Sequence, residues 1–134
     1  MNTTQSADST AIKKVLADQY RAWAAGDAAA FVADYTEAAT VIMPGSYRRN
    51  RDEIRQSMTE SFATSLKGTN VTDEVQSIRF LDDDHAVVIS KAGILFPGVT
   101  EVPENQAVYA TWVFHRADGK WRVESYHNSP VNQS

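Results

Sequence analysis

Residues able to move a proton concentrate near the end of this chain. The run Trp121-Arg122-Val123-Glu124-Ser125-Tyr126-His127-Asn128 holds a carboxylate, a phenol, an imidazole and a carboxamide. Turned toward a cavity, Glu124 would have its pKa raised by burial and would work as a general acid or base near neutral pH. Turned toward solvent, it would pair with Arg122 or Arg79. His127 and Asn128 are neighbours in a strand, so one faces in and the other out, and a β-bulge would exchange them. An inward His127 could shuttle a proton; an outward one would join a dimer surface. Tyr20, Tyr109 and Tyr126 could donate phenolic hydrogen bonds to a carbonyl, or lie in the core with satisfied hydroxyls. Arg48, Arg49, Arg51 and Arg55 form a cluster suited to the phosphate of a carrier-bound substrate or to an acidic carrier protein. Asp52 and Glu53 partly cancel that cluster, and Asp34 reads as a solvated helix exterior.

Other chemistries find no support. The 134 residues contain no cysteine, so thiolate metal sites, disulfides and cysteine nucleophiles are excluded together. That composition suits a reducing cytoplasm. His85, His115 and His127 are far apart, without His-x-His or Glu-x-x-His spacing, so no metal is expected. No phosphate-binding glycine motif appears, and Gly45-Ser46 lacks the context of a nucleophile elbow. No cofactor is implied. The net charge is −4, with scattered basic residues, which speaks against nucleic acid. No stretch approaches the roughly 20 apolar residues of a membrane span.

The elements that position these residues follow from periodicity. Ile12, Val15, Leu16, Tyr20 and Trp23 form one stripe of a helix over 11–25, ended by Gly26. Asp27 caps a second helix, predicted over 28–35. Residues 38–43 read as a strand stopped by Pro44, and a loop follows. Asn50 with Glu53 makes a capping-box start for a third helix running to about Leu66. Segments 70–81, 85–96, 104–116 and 120–129 read as strands, and Asp118-Gly119 signals a tight hairpin. Helices segregated from a strand meander indicate an α+β fold. Residues 1–8 are expected to be a disordered lead-in, 9–130 one domain and 131–134 a tail. The 104–116 strand is apolar on both faces, which predicts a homodimer through the sheet, the alternative being a curled sheet that covers itself.

Three stretches carry a resemblance: Trp23-Ala24-Ala25-Gly26-Asp27-Ala28-Ala29-Ala30-Phe31, Ala39-Thr40-Val41-Ile42-Met43-Pro44 and Asp118-Gly119-Lys120-Trp121-Arg122-Val123. They resemble the nuclear transport factor 2-like superfamily, which includes ketosteroid isomerase, SnoaL-like cyclases and scytalone dehydratase. The ending through Ser129-Pro130-Val131 looks most like the SgcJ/EcaC group associated with enediyne polyketide pathways. The resemblance implies a cone, in which a curved, mainly antiparallel mixed sheet wraps three N-terminal helices around an apolar cavity.

Carried over residue by residue, the resemblance argues against steroid isomerisation. The base of ketosteroid isomerase falls on Met43, its oxyanion tyrosine on Gln19, its protonated aspartic acid on Thr111 and a further tyrosine on Met58. Only Tyr35 matches. The same register places Gln19, Trp23, Tyr35, Met43, Met58, Tyr109, Thr111, Glu124, Tyr126 and Asn128 on the cavity wall, beside the candidate Tyr20. Such a lining suits an apolar ligand bearing a few oxygens. The expected function is cofactor-free proton transfer on a polyketide-type metabolite, by cyclisation, isomerisation or dehydration. Glu124 or His127 would be the catalytic group. The alternative is a non-catalytic binder or accessory partner of a synthase or thioesterase.

Overall fold

The structure, a computed structural model, describes residues 3–132. Helix α1 spans Thr3–Ala25 and α2 spans Ala28–Phe31; β1 (Tyr35–Met43), β2 (Ser46–Arg48) and α3 (Arg51–Ala63) follow. Four long strands complete the chain: β3 (Asn70–Asp82), β4 (His85–Leu95), β5 (Val108–Ala117) and β6 (Lys120–Pro130). With β1 and β2 they form one six-stranded sheet in the order β2-β1-β6-β5-β4-β3. Only β1 and β6 run parallel; the other pairs are antiparallel. The fold is mixed α+β, with the helices on the concave face of a curved sheet.

Several boundaries differ from the sequence reading, each for a local reason. Helix α1 starts at Thr3 and takes in most of the lead-in expected to be disordered; residues 1 and 2 lie outside the described residues. Asp8 anchors that first part, because its Oδ1 accepts from Trp121 Nε1 at 3.1 Å and Arg116 Nη1 at 3.4 Å. Helix α2 stops at Phe31 rather than residue 35, and the buried Tyr35 already belongs to β1, paired with Val123. Helix α3 is capped by Asn50 Oδ1, which accepts from Glu53 N at 2.9 Å, and ends three residues before Leu66. The loop after Pro44 contains the short strand β2, which the sequence did not signal.

Which side chains face the helices is decided by two features of the sheet. Along β5 the even positions point inward: Ala110, Trp112 and Phe114 are buried, while Tyr109 and Thr111 are exposed. On β6 the ladder pairs Phe114 with Val123 but Val113 with Ser125, so Glu124 is an extra, bulged residue. Trp121 and Val123 face in before the bulge, Tyr126 and Asn128 after it. The outer face carries His85, Val87, Ile89, Val113 and His115, with the two imidazoles stacked at 4.7 Å. This is the face on which the expected homodimer depends.

Gly93 is the tightest close approach in the sheet. A Cβ there would lie 2.4 Å from Val102 Cγ1 and 3.0 Å from Val102 Cβ. We expect Gly93→Ala to lower the melting temperature despite the usual gain from replacing a strand glycine. Adding Val102→Gly should recover most of the loss, as read by thermal unfolding of the two single variants and the double.

Candidate functional site

Between the helices and the sheet lies a cavity of about 500 Å³. Tyr20 and Trp23 of α1, Phe31 of α2 and Ile54 and Met58 of α3 form its helical side. Tyr35, Val41, Met43, Val108, Trp112, Tyr126 and Asn128 form its sheet side, and Phe96 and Gln106 reach it from the β4–β5 loop. Trp23 packs edge-on against Phe31 at 5.8 Å and Phe62 at 5.6 Å, and its N–H donates to Thr69 Oγ1 at 2.8 Å. Its polar edge is therefore satisfied, leaving an aromatic wall. The volume falls in the range of small-molecule sites, and the lining is predominantly apolar.

Several polar groups around this chamber are paired, while the buried Asn128 Oδ1 and Gln19 Nε2 have no hydrogen-bond partner among the described residues. Tyr35 O–H donates to Gln19 Oε1 at 2.9 Å, and Asn128 Nδ2 donates to Tyr126 Oη at 2.9 Å. Burial raises the pKa of both phenols, with the Asn128 bond partly opposing the rise at Tyr126. Trp112 Nε1 donates to Ser90 Oγ at 3.1 Å. That leaves the Ser90 proton for Asp73, whose carboxylate also receives Tyr20 O–H at 3.5 Å. Burial nevertheless pushes Asp73 above the ordinary carboxylate value, because desolvation outweighs the two hydroxyl bonds. Tyr20 is raised well above its own ordinary value by burial and then by the Asp73 charge. Tyr20 lines the main cavity and also, with Asp73, Lys13 and Val71, a smaller cleft between α1 and β3. With Val71, which also lines both, it separates the two spaces.

A raised carboxyl pKa has a definite thermodynamic sign. The folded state holds the Asp73 proton more tightly than the unfolded chain, so its contribution is favourable at low pH and is lost as pH rises through the raised value. Asp73→Asn removes this dependence. The melting temperature of the variant relative to the native protein should therefore climb as pH is taken upward from 3.8, the ordinary carboxylate value. A flat difference across that window would mean that Asp73 titrates normally.

A family model described as the SnoaL-like domain matches residues 12–133. The chain belongs to this family. The same fold recurs in solved structures. A domain of unknown function with a cystatin-like fold from Nostoc punctiforme shares 27% identity at a TM-score of 0.87, covering 99% of this chain and 81% of that one. A ketosteroid isomerase-like protein from Erwinia carotovora atroseptica shares 18% at 0.72, covering 92% and 96%. A provisionally named scytalone dehydratase from Novosphingobium aromaticivorans shares 18% at 0.77, covering 100% and 94%. No curated protein matches the chain. The finer resemblance to the SgcJ/EcaC group has no counterpart among these matches.

Set against this SnoaL-like frame, the residues expected from sequence divide into two groups. Tyr20, Trp23, Tyr35, Met43, Met58, Tyr126 and Asn128 line the cavity. Gln19 does not; it is buried one layer behind Tyr35, whose hydroxyl it holds. Tyr109 and Thr111 lie on the outer face, because the inner row of β5 runs through the even-numbered Trp112 and Phe114. Glu124 sits in the β6 bulge away from the cavity lining, and the same bulge turns His127 outward and Asn128 inward. Neither expected catalytic group reaches the chamber. Sequence reasoning missed Asp73 and Ser90. Asp73 had a signal: it occupies the strand position between Val71 and Val75, where an apolar residue belongs. Among the described residues no group of three or more metal-ligating side chains is assembled, and no helix is long and apolar enough to cross a membrane.

Proposed function

We propose that the SnoaL-like cavity takes up an apolar, carbonyl-bearing metabolite of polyketide type and that the Tyr20–Asp73 pair moves a proton on it without a cofactor. One observation carries this reading: a desolvated carboxyl with a raised pKa is hydrogen-bonded to a phenol that forms the wall of an otherwise apolar chamber. When Asp73 is protonated, it can donate to the Tyr20 oxygen and free the Tyr20 O–H for a ligand carbonyl. When Asp73 is ionised, it accepts the Tyr20 proton, and the phenol oxygen can take one from an acidic C–H. Removal of a proton next to a carbonyl leaves an enolate. Return of that proton to another carbon gives isomerisation, attack of the enolate carbon on a carbonyl closes a ring, and loss of a β-hydroxyl as water gives dehydration. The aromatic walls supply shape selection for a flat or extended body.

A probe ketone tests this without knowledge of the natural ligand. The protein should accelerate exchange of the α-protons of 2-tetralone in deuterated water, followed by proton NMR, above the rate in buffer at the same pH. Saturation with ketone would place the exchange in the chamber. The second reading, a ligand holder serving a synthase or thioesterase, draws on Met43 standing where ketosteroid isomerase has its base. It predicts saturable binding with no acceleration.

A further inference from the structure

The arginine cluster that follows β1 does not behave as a uniform patch. Arg49 Nε pairs with Glu53 Oε2 at 3.0 Å and Arg55 Nη2 with Asp52 Oδ1 at 2.7 Å. Arg51 Nη1 donates to the Tyr35 carbonyl at 3.2 Å. Three of the four are thus engaged by protein oxygens. Arg48 has no such oxygen partner among the described residues: its side-chain hydrogen bond runs from Nη1 to Met58 Sδ at 3.5 Å, and a thioether is a weak acceptor. It is half-buried on β2 and lines the cavity rather than the surface patch. Burial works against its charge, so the site pays desolvation without a matching anion.

The register places a second donor in the same row, two strands away across β1. Val41 of β1 pairs with Arg48 on one side and Tyr126 on the other, and all three line the cavity. The Tyr126 oxygen accepts from Asn128 Nδ2, which leaves the phenolic proton free to be donated. Asp73, by contrast, stands on β3 at the opposite edge of the sheet. We propose that Arg48 and Tyr126 form a carboxylate subsite, so that the ligand is an apolar molecule carrying one carboxylate, gripped at the β2 edge. The guanidinium fork matches two carboxylate oxygens, and a half-buried charge with no internal anion gains from one. The inference rests on the cavity being a ligand site and names the ligand class; it does not require the Tyr20–Asp73 chemistry.

Calorimetry with two probes of the same shape tests it: 2-naphthoate, which is charged, and 2-naphthamide, which is neutral. The native protein should prefer the naphthoate by about ten-fold or more, the yield of a charge-assisted hydrogen bond in a sheltered site. Arg48→Met should reduce that preference to about two-fold or less while leaving naphthamide affinity nearly unchanged, which also shows that the variant is folded. Arg48→Lys should keep part of the preference, and Tyr126→Phe should lower it by a few-fold. Equal binding of the two probes by the native protein, or a preference that survives in Arg48→Met, overturns the subsite and leaves the cavity reading standing. Binding of neither probe overturns both.

Discussion

Asp73→Asn should slow the α-proton exchange of 2-tetralone by about a hundred-fold or more, within the range that general acid–base groups contribute. Asparagine keeps the size of the side chain and an oxygen that can accept from Ser90 and Tyr20, so the walls of the chamber stay in place. It cannot hold the proton. Tyr20→Phe should cost a similar factor, since Asp73 borders the α1–β3 cleft and reaches the main cavity through the Tyr20 hydroxyl. The double variant should then be no slower than either single one, because the two groups act as a unit. The pH profile separates catalysis from mere structural damage. The native rate should change across the raised Asp73 pKa, and that inflection should vanish in Asp73→Asn. Glu124→Gln combined with His127→Asn serves as the contrast and should leave the rate within about two-fold, because neither side chain lines the cavity. An Asp73→Asn protein that exchanges at the native rate would remove the proton-transfer reading.

The sequence carried the architecture further than it carried the site, and the reason is geometric. Helix stripes such as Ile12–Leu16–Trp23 and the Asp118-Gly119 turn are local signals, and the elements they predict are present. Facing within a strand is less local, because a slip of one residue exchanges every side chain between the two sides. Strand β5 has apolar residues at both odd and even positions, so its composition does not say whether Thr111 or Trp112 looks inward; packing against α1 decides it, with Tyr20 edge-on to Trp112 at 6.5 Å. Strand β6 adds the Glu124 bulge, whose existence depends on the partner ladder and leaves no mark in the chain itself. The one legible clue to the acid was the mismatch at Asp73, a carboxylate in an apolar alternation. Charge at an inward position is costly unless something uses it.

Trp112→Ala should be the most destabilising single change in the cavity wall. The side chain is 2% exposed and meets Tyr126 at 4.4 Å, Phe114 at 6.2 Å and Tyr20 at 6.5 Å between ring centres. Truncating a buried tryptophan costs about 3–5 kcal/mol. For a domain of this size that corresponds to a fall of roughly 10–20 °C in melting temperature. The loss should lie at the upper end of that range, because the vacated space merges with a chamber already of about 500 Å³ and the walls have nothing to collapse onto. Trp112→Phe isolates the polar part. It keeps an aromatic wall but removes the N–H that Ser90 Oγ accepts, at a cost of about 1 kcal/mol. Without that bond, Ser90 is free to turn away from Asp73. A hydroxyl bond that favours the carboxylate then weakens, so the inflection in the exchange profile should move to still higher pH. The two variants separate the roles of one residue: its bulk holds the cone open, and its N–H, through Ser90, sets the acidity of Asp73. An unchanged inflection in Trp112→Phe would break the second link and leave the first intact.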